Sequence, residues 1–417
     1  MNANVFPRQI LLVAVAVFSA SSALKIPAAE PSDFDATTET VGWNGTNGLV
    51  TPINQLITPA GLQVELPRMR PQALALSPDG KILVTAGLTH ELLVVDPASG
   101  KILQHVPLPS DKNPQQTPES GEILNPDNKA QLSFTGLVFS PDGSRIYLSN
   151  VNGDIKVFKV DRDQKVSPLF SIPLPPANAP LRKNAIPAGI AVSQDGKRLY
   201  VALNLSNRLI ELDAVTGKVL RMWDVGVAPF DVVLVRDKIY VSNWGGRRPD
   251  ANSVTGPAGR GTLVRVDSRS IASEGSVSII NLATNSDTQF ANLELLTDRH
   301  ACALAVSPDK CYVVVANAGN DTVSVIDTRT DKIVDTLCAR QNRADLFGAQ
   351  PNALTFDKSG KRLFVCNGTQ NAAAVFQFKT KTRFFGLIPF HRYQPGRTQL
   401  LGLIPVGWFP GAIVYDA

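Results

Sequence analysis

The side chains best suited to hold an anion are cations set between apolar runs: Arg182, Lys183, Arg247, Arg248, Arg260 and Arg299. A guanidinium can grip a carboxylate or a phosphate through paired hydrogen bonds. Near them in the repeat described below stand Trp244, His300, Asp231, Asn352 and Trp408, which could stack on a ligand or hydrogen-bond to it. The same residues also read as solvated loop charge, with Trp244 and Trp408 as packing residues. Metal chemistry has less to draw on. The four histidines, His90, His105, His300 and His391, do not cluster, so no multi-histidine site is predicted. Cys302, Cys311, Cys338 and Cys366 match no zinc or thioredoxin spacing and read as small core residues. No glycine-rich phosphate loop precedes a helix, and residues 161–164 lack the spacing of a calcium loop. The sequence assigns no catalytic residue, no metal and no cofactor.

These residues are scattered along the chain and need a scaffold to bring them together. A recurring unit supplies one. It is plainest as Ala-Leu-Ala-Leu-Ser-Pro-Asp-Gly at 73–80, Gly-Ile-Ala-Val-Ser-Gln-Asp-Gly at 189–196 and Ala-Leu-Ala-Val-Ser-Pro-Asp-Lys at 303–310. Weaker copies begin at Phe134, Pro229 and Pro351, and a last one at Pro410. Each copy is a strand of small and β-branched residues, a tight turn and a second strand. Proline fixes φ at one turn position and glycine supplies positive φ at another. Third and fourth strands follow, such as 91–96 and 101–107. Four antiparallel strands per unit, at roughly 40–70-residue spacing, predict an all-β chain folded as a seven-bladed β-propeller. The innermost strands are read as 71–77, 134–140, 187–193, 229–235, 301–307, 351–357 and 410–416.

Residues 54–58 and 62–66, joined by Pro59-Ala60-Gly61, read as third and fourth strands of the blade whose inner strand is 410–416. Strands from both termini would then close the ring and hide its open sheet edge. That last blade lacks its second strand. The expectation is of a truncated chain, or of the N-terminal part of a longer polypeptide with a further C-terminal domain.

The start of the chain reads as a signal peptide over 1–23, with Arg8, an apolar run over 10–18 and small residues up to Ala23. A linker over 24–47 and the propeller over 48–417 follow. Export to the periplasm or beyond the cell is expected, with no membrane span in the mature chain. A net charge of +5, spread without a patch, makes nucleic acid an unexpected partner.

The turns between first and second strands are minimal, so one face of the disc is plain. Long loops over 110–131, 175–185, 245–275 and 337–349 gather on the other face, where function is usually carried. A long loop over 379–399 falls on the plain side. Asp231, His300, Asn352 and Trp408 are expected at the channel mouth of the loop-rich face. The cations form its rim, ready for an anionic small molecule or a docked domain.

Val313-Val-Val-Ala-Asn317 and Val365-Cys-Asn-Gly368, with their Ser-Pro-Asp turns, resemble the YVTN repeat of exported bacterial seven-bladed propellers. Val241-Ser-Asn-Trp-Gly-Gly-Arg-Arg-Pro249 and Ile404-Pro-Val-Gly-Trp-Phe-Pro410 resemble a narrower bacterial class. In that class a YncE-like propeller precedes an alkaline-phosphatase-superfamily phosphoesterase domain. The resemblance covers residues 50–417 and implies a binding or scaffold module. The phosphoesterase half is not in this sequence, so no catalytic residue is carried over. Two alternatives stay open. One is a self-standing metal-dependent hydrolase of the lactonase-like kind, which would hold a metal through Glu, Asn and Asp around the channel. Asp231 and Asn352 suit that pattern, but no glutamate does. The other is a propeller that binds single-stranded DNA.

Overall fold

The structure is a computed structural model that describes residues 40–43, 48–52, 55–66, 69–87, 90–110, 127–259, 261–283, 290–385 and 388–416. The segment read as a signal peptide, most of the linker, Arg260 and residues 111–126 of the first long loop lie outside the described residues. No described helix is long and apolar enough to cross a membrane.

The chain is all β and forms a seven-bladed β-propeller built mostly from four-stranded antiparallel sheets. The inner strands of blades one to six are Pro71–Leu76, Leu132–Phe139, Ile186–Val192, Pro229–Val235, Ala301–Val306 and Pro351–Phe356. In blades one, two, three and five the four strands are consecutive in the chain. Blade four inserts a hairpin, Thr255–Gly259 with Thr262–Arg265, between its second and third strands. In blade six the expected loop over 379–399 is instead mainly a hairpin, Thr380–Phe385 with Ile388–Tyr393. Its base is fixed by Tyr393, whose hydroxyl donates to Asp335 of blade five at 2.9 Å. Strand-forming aromatic and β-branched residues explain the hairpin where only length suggested a loop.

Each tight turn is built the same way. The Ser77 hydroxyl donates to Asp79 at 2.7 Å and accepts from the Ile82 N–H at 3.0 Å. Ser140, Ser193 and Ser307 repeat both bonds with Asp142, Asp195 and Asp309. The left-handed turn position is Gly80, Gly143 or Gly196, while Lys310 takes it with φ 57° in blade five. The inner strands are crowded, which explains their small residues. A Cβ on Gly136 would lie 2.2 Å from the Ala188 carbonyl oxygen. Hydroxyls on second strands tie each blade to the next: Ser149 donates to the Ala188 carbonyl at 2.7 Å, and Ser242 donates to that of Cys302. Apolar side chains of neighbouring blades complete the core, as where Val84 and Leu92 pack with Leu137 and Leu148.

The seventh position is filled from both ends of the chain. The residue before the inner strand has positive φ in blades four, five and six: Ala228 at 54°, His300 at 59° and Gln350 at 51°. Phe409 repeats it at 52°. Ala228 N–H donates to Asn207 at 2.9 Å and Gln350 N–H to Asp321 at 2.8 Å, each in the loop after the preceding blade's second strand. Phe409 N–H makes the same bond to Asn371 at 2.9 Å. Residues 410–416 therefore dock on blade six as an inner strand docks on its predecessor, although they pair with no described strand.

The N-terminal contribution differs in detail from the sequence expectation. Leu56–Ile57 is a strand, but its partner is Leu49–Val50, which also pairs with Gly42–Trp43. Residues 62–66 form no strand, yet Leu62 and Val64 pack at Gly100 of blade one, where a Cβ would lie 2.6 Å from Val64. Ala60 N–H donates to the Pro405 carbonyl of blade six at 2.9 Å, so this segment spans from blade six to blade one. All four cysteines are free, with Cys302 and Cys366 buried and Cys311 and Cys338 half-buried.

Candidate functional site: the loop-rich mouth of the channel

The chain enters every inner strand at the loop-rich face. At the junction of blades four and five, Trp244 follows the second strand Lys238–Asn243, and His300 precedes Ala301–Val306. Their rings stack with centroids 3.9 Å apart and planes 3° from parallel. The bend that places His300 is left-handed backbone, and its carbonyl accepts from the Ala318 N–H at 3.1 Å. Gly319 leaves room for the ring, since a Cβ there would lie 2.8 Å from His300 Nδ1. His300 Nε2 is buried with no hydrogen-bond partner among the described residues. Burial, helped by the charge of Arg299, pushes the imidazole below the ordinary histidine range, so it is neutral at pH 7.

The rim cations divide into two kinds. Arg247 makes a two-pronged ion pair with Glu274, at 3.0 and 2.6 Å, and this pair holds the Glu274 carboxyl low. Arg248 donates to the Val225 carbonyl at 2.6 Å and lies 3.2 Å from Asp224. Both side chains brace the blade-four loop and have their charge met. Arg299 differs: its Nε donates to the neutral side-chain oxygen of Asn320 at 2.9 Å. Its charge stands beside the Trp244–His300 stack. Arg182 is tied to the carbonyls of Asn184 and Val151. Arg260 lies outside the described residues.

Asn352 sits on the inner strand of blade six. Both polar atoms of its amide are buried, with no partner among the described residues. Gly368 makes room for it, since a Cβ there would lie 2.7 Å from the amide nitrogen. Trp408 is exposed, and its ring takes no part in the stack.

Asp231 stands deeper on the axis, in a ring whose equivalent residues are Ala73, Gly136, Gly189, Ala303 and Ala353. A Cβ on Gly189 would lie 2.6 Å from Asp231, so the carboxylate fills space that its neighbour vacates. Its oxygens accept from the N–H groups of Val232 at 2.8 Å and Leu304 at 2.9 Å. Burial pushes its pKa up to about 6, against those two bonds. The residue keeps some surface open to the channel, and water there moderates the effect.

Sequence reasoning missed two carboxylates that shape the mouth. Asp321 accepts from three successive backbone N–H groups, Gly348, Ala349 and Gln350, at 2.7, 3.0 and 2.8 Å. Glu294 receives Ser276, Ser278 and Asn243 on the outer edge of blade four. An Asn or Asp recurs a few residues past the second strand, at 207, 321 and 371, and was the available signal for the first. A cavity of about 540 Å³ lies at the opposite, tight-turn end, lined among others by Leu76, Val306, Phe356, Lys358 and Tyr415. It is the channel's other opening and is remote in the fold from the stacked rings.

Comparison with known proteins supports this architecture. The family model described as "Lactonase, 7-bladed beta-propeller" matches residues 274–389, from the third strand of blade four to the blade-six hairpin. No curated protein matches. Among solved structures, hydrazine synthase of Kuenenia stuttgartiensis is similar, at TM-score 0.56 and 17% identity over 85% of this chain and 91% of that one. The structure of U3-55K is similar at TM-score 0.57 and 10% identity, over 84% of this chain and 86% of that one. The RRP9 WD40 repeats are similar at TM-score 0.57 and 10% identity, over 84% of each chain. At such identities the likeness is one of fold.

Proposed function

We propose that this propeller is an exported binding and scaffold module whose loop-rich mouth holds an anionic group, on a small molecule or on a docked domain. The observation that carries this reading is Arg299. Its guanidinium meets a neutral amide beside a stacked tryptophan and histidine, where the neighbouring arginines are neutralised. A planar cation next to an aromatic face suits a carboxylate or phosphate carried on an apolar or ring-shaped group. The YncE-like repeat pattern supports the finer reading that the module accompanies a phosphoesterase-type domain in the periplasm or outside the cell. The test is a thermal-shift panel of inorganic phosphate, phenyl phosphate, citrate and benzoate at two salt concentrations. A stabilising anion whose effect vanishes in Arg299→Ala and weakens with salt is expected. No stabilisation by any of the four, or equal stabilisation of Arg299→Ala, sinks the proposal.

The match over 274–389 favours a second reading, a lactonase-like metal-dependent hydrolase. The donors do not fit a metal centre well. Both Asp231 oxygens are engaged by backbone N–H groups, and no three His, Cys, Asp or Glu gather among the described residues. Lactone hydrolysis that appears on adding a divalent metal and is lost in Asp231→Asn would favour this reading over the first.

A further inference from the structure

We propose that residues 410–416 are the acceptor for one further β-strand. It is joined to residue 416 by the tight turn of the other blades and carries the side-chain pattern of a second strand. The six complete blades show what covers an inner strand. In blade six the ladder pairs Pro351 with Asn367, Ala353 with Cys366, Leu354 with Val365, Thr355 with Phe364 and Phe356 with Leu363. Residues 410, 412, 413, 414 and 415 stand at the matching positions and pair with no described strand. Phe409 already has the positive φ and the side-chain clasp that precede an inner strand elsewhere. Cys366 donates to the Ala412 carbonyl at 3.7 Å, the bond by which Ser149 and Ser242 reach the next blade. The inner strand is thus docked on one side and bare on the other.

Exposure marks the bare side. Tyr415 is 41% exposed, where the matching Phe356 is 7% exposed. Trp408 is 55% exposed, where the matching Val227 and Ala349 are fully buried.

The repeat also states the chemistry of the occupant. Ile-Tyr-Leu-Ser-Asn at 146–150, Ile-Tyr-Val-Ser-Asn at 239–243 and Leu-Phe-Val-Cys-Asn at 363–367 are second strands. Each runs from an aliphatic residue through an aromatic and a second aliphatic to a small polar residue and a buried Asn. The small residue faces the next blade's inner strand, and here that neighbour is blade one. Asp416 stands where Asp357 opens the blade-six turn, with its N–H bonded to the Arg362 carbonyl and its own carbonyl to the Gly360 N–H. A strand arriving through that turn is the polypeptide's own continuation, in the same register as the other six.

The test extends the full chain after Ala417 with a copy of residues 359–368 and, in a control, with the same residues scrambled. Amide exchange at 411–415 and the unfolding midpoint are read in both. The native-order extension is expected to slow exchange at 411–415 and raise the midpoint by several degrees, while burying Trp408 as a blue-shifted emission. The scrambled one should do neither. Unchanged exchange with the native-order extension overturns the proposal. So does slow exchange in the unextended chain that depends on protein concentration, because a second copy would then occupy the edge. Should the extended chain fail to fold, a free peptide of the same sequence is added to the folded protein. Protection of 411–415 by that peptide, and not by its backbone N-methylated form, supports the proposal, and no protection by either overturns it.

Discussion

The two ends of the axial channel are built by opposite rules. At the tight-turn end, four blades repeat the same serine, aspartate and left-handed residue with nearly the same distances. At the other end no two blades match. Blade four carries a hairpin, blade five a stacked tryptophan and histidine, and blade six a buried amide without a partner among the described residues. A feature repeated around a ring answers a need that every blade shares, which is to fold and to dock on its neighbour. A feature that occurs in one blade answers something particular, such as a ligand.

That contrast can be broken or sharpened by substitution. The largest loss is expected from Asp321→Ala, which strips the acceptor from three N–H groups at the junction of blades five and six. It should cost about 3–5 kcal/mol in urea unfolding. Asn371→Ala, which frees the N–H of Phe409, should cost about 1 kcal/mol. Equal losses would show that the seventh position docks as firmly as the sixth.

Asp231 gives the next effect, and it depends on pH. Its folded pKa of about 6 lies above the ordinary aspartate value, so the folded state holds the proton more tightly. The stability conferred by that proton is present below about pH 4 and is lost as pH rises through the folded pKa. With allowance for water in the channel, wild type should lose on the order of 1–2 kcal/mol across this window. Asp231→Asn should remove that part of the slope. An unchanged slope, measured by urea unfolding at several pH values, would place the titrating group elsewhere.

Smaller and more uniform are the turn serines. Ser77→Ala, Ser140→Ala, Ser193→Ala and Ser307→Ala should each cost about 1 kcal/mol, since each removes the same two bonds. A spread among the four wider than the difference between Asp321→Ala and Asn371→Ala would undo the distinction between the two ends. The smallest change in stability belongs to Trp244→Ala, a partly exposed side chain, at about 1 kcal/mol or less by thermal unfolding. Its effect should instead appear in ligand binding.

The fold was legible because its determinants are local and repeated. Ser-Pro-Asp-Gly and its variants announce the turn, and small residues before it announce a crowded inner strand. What was illegible depended on contacts distant in sequence. Arg247 and Arg248 look like free cations in the chain, and only the fold brings Glu274 and Asp224 to them. Arg299 looks no different from either, yet it is the one that meets a neutral partner. The stacking of Trp244 on His300 joins residues of two blades, and nothing in their spacing shows it. The pairing of Leu56–Ile57 with Leu49–Val50 was missed because strands of two residues carry no readable period.

The claim that the irregular mouth is a binding site is tested most directly by calorimetry. The strongest anion from the thermal-shift panel would be titrated into wild type, Arg299→Ala and Ser193→Ala between pH 5 and pH 8. Binding should be kept in Ser193→Ala and lost in Arg299→Ala. It should tighten in wild type toward low pH, as protonation of His300 adds a second positive charge to the site. Equal affinity in wild type and Arg299→Ala at every pH would contradict it.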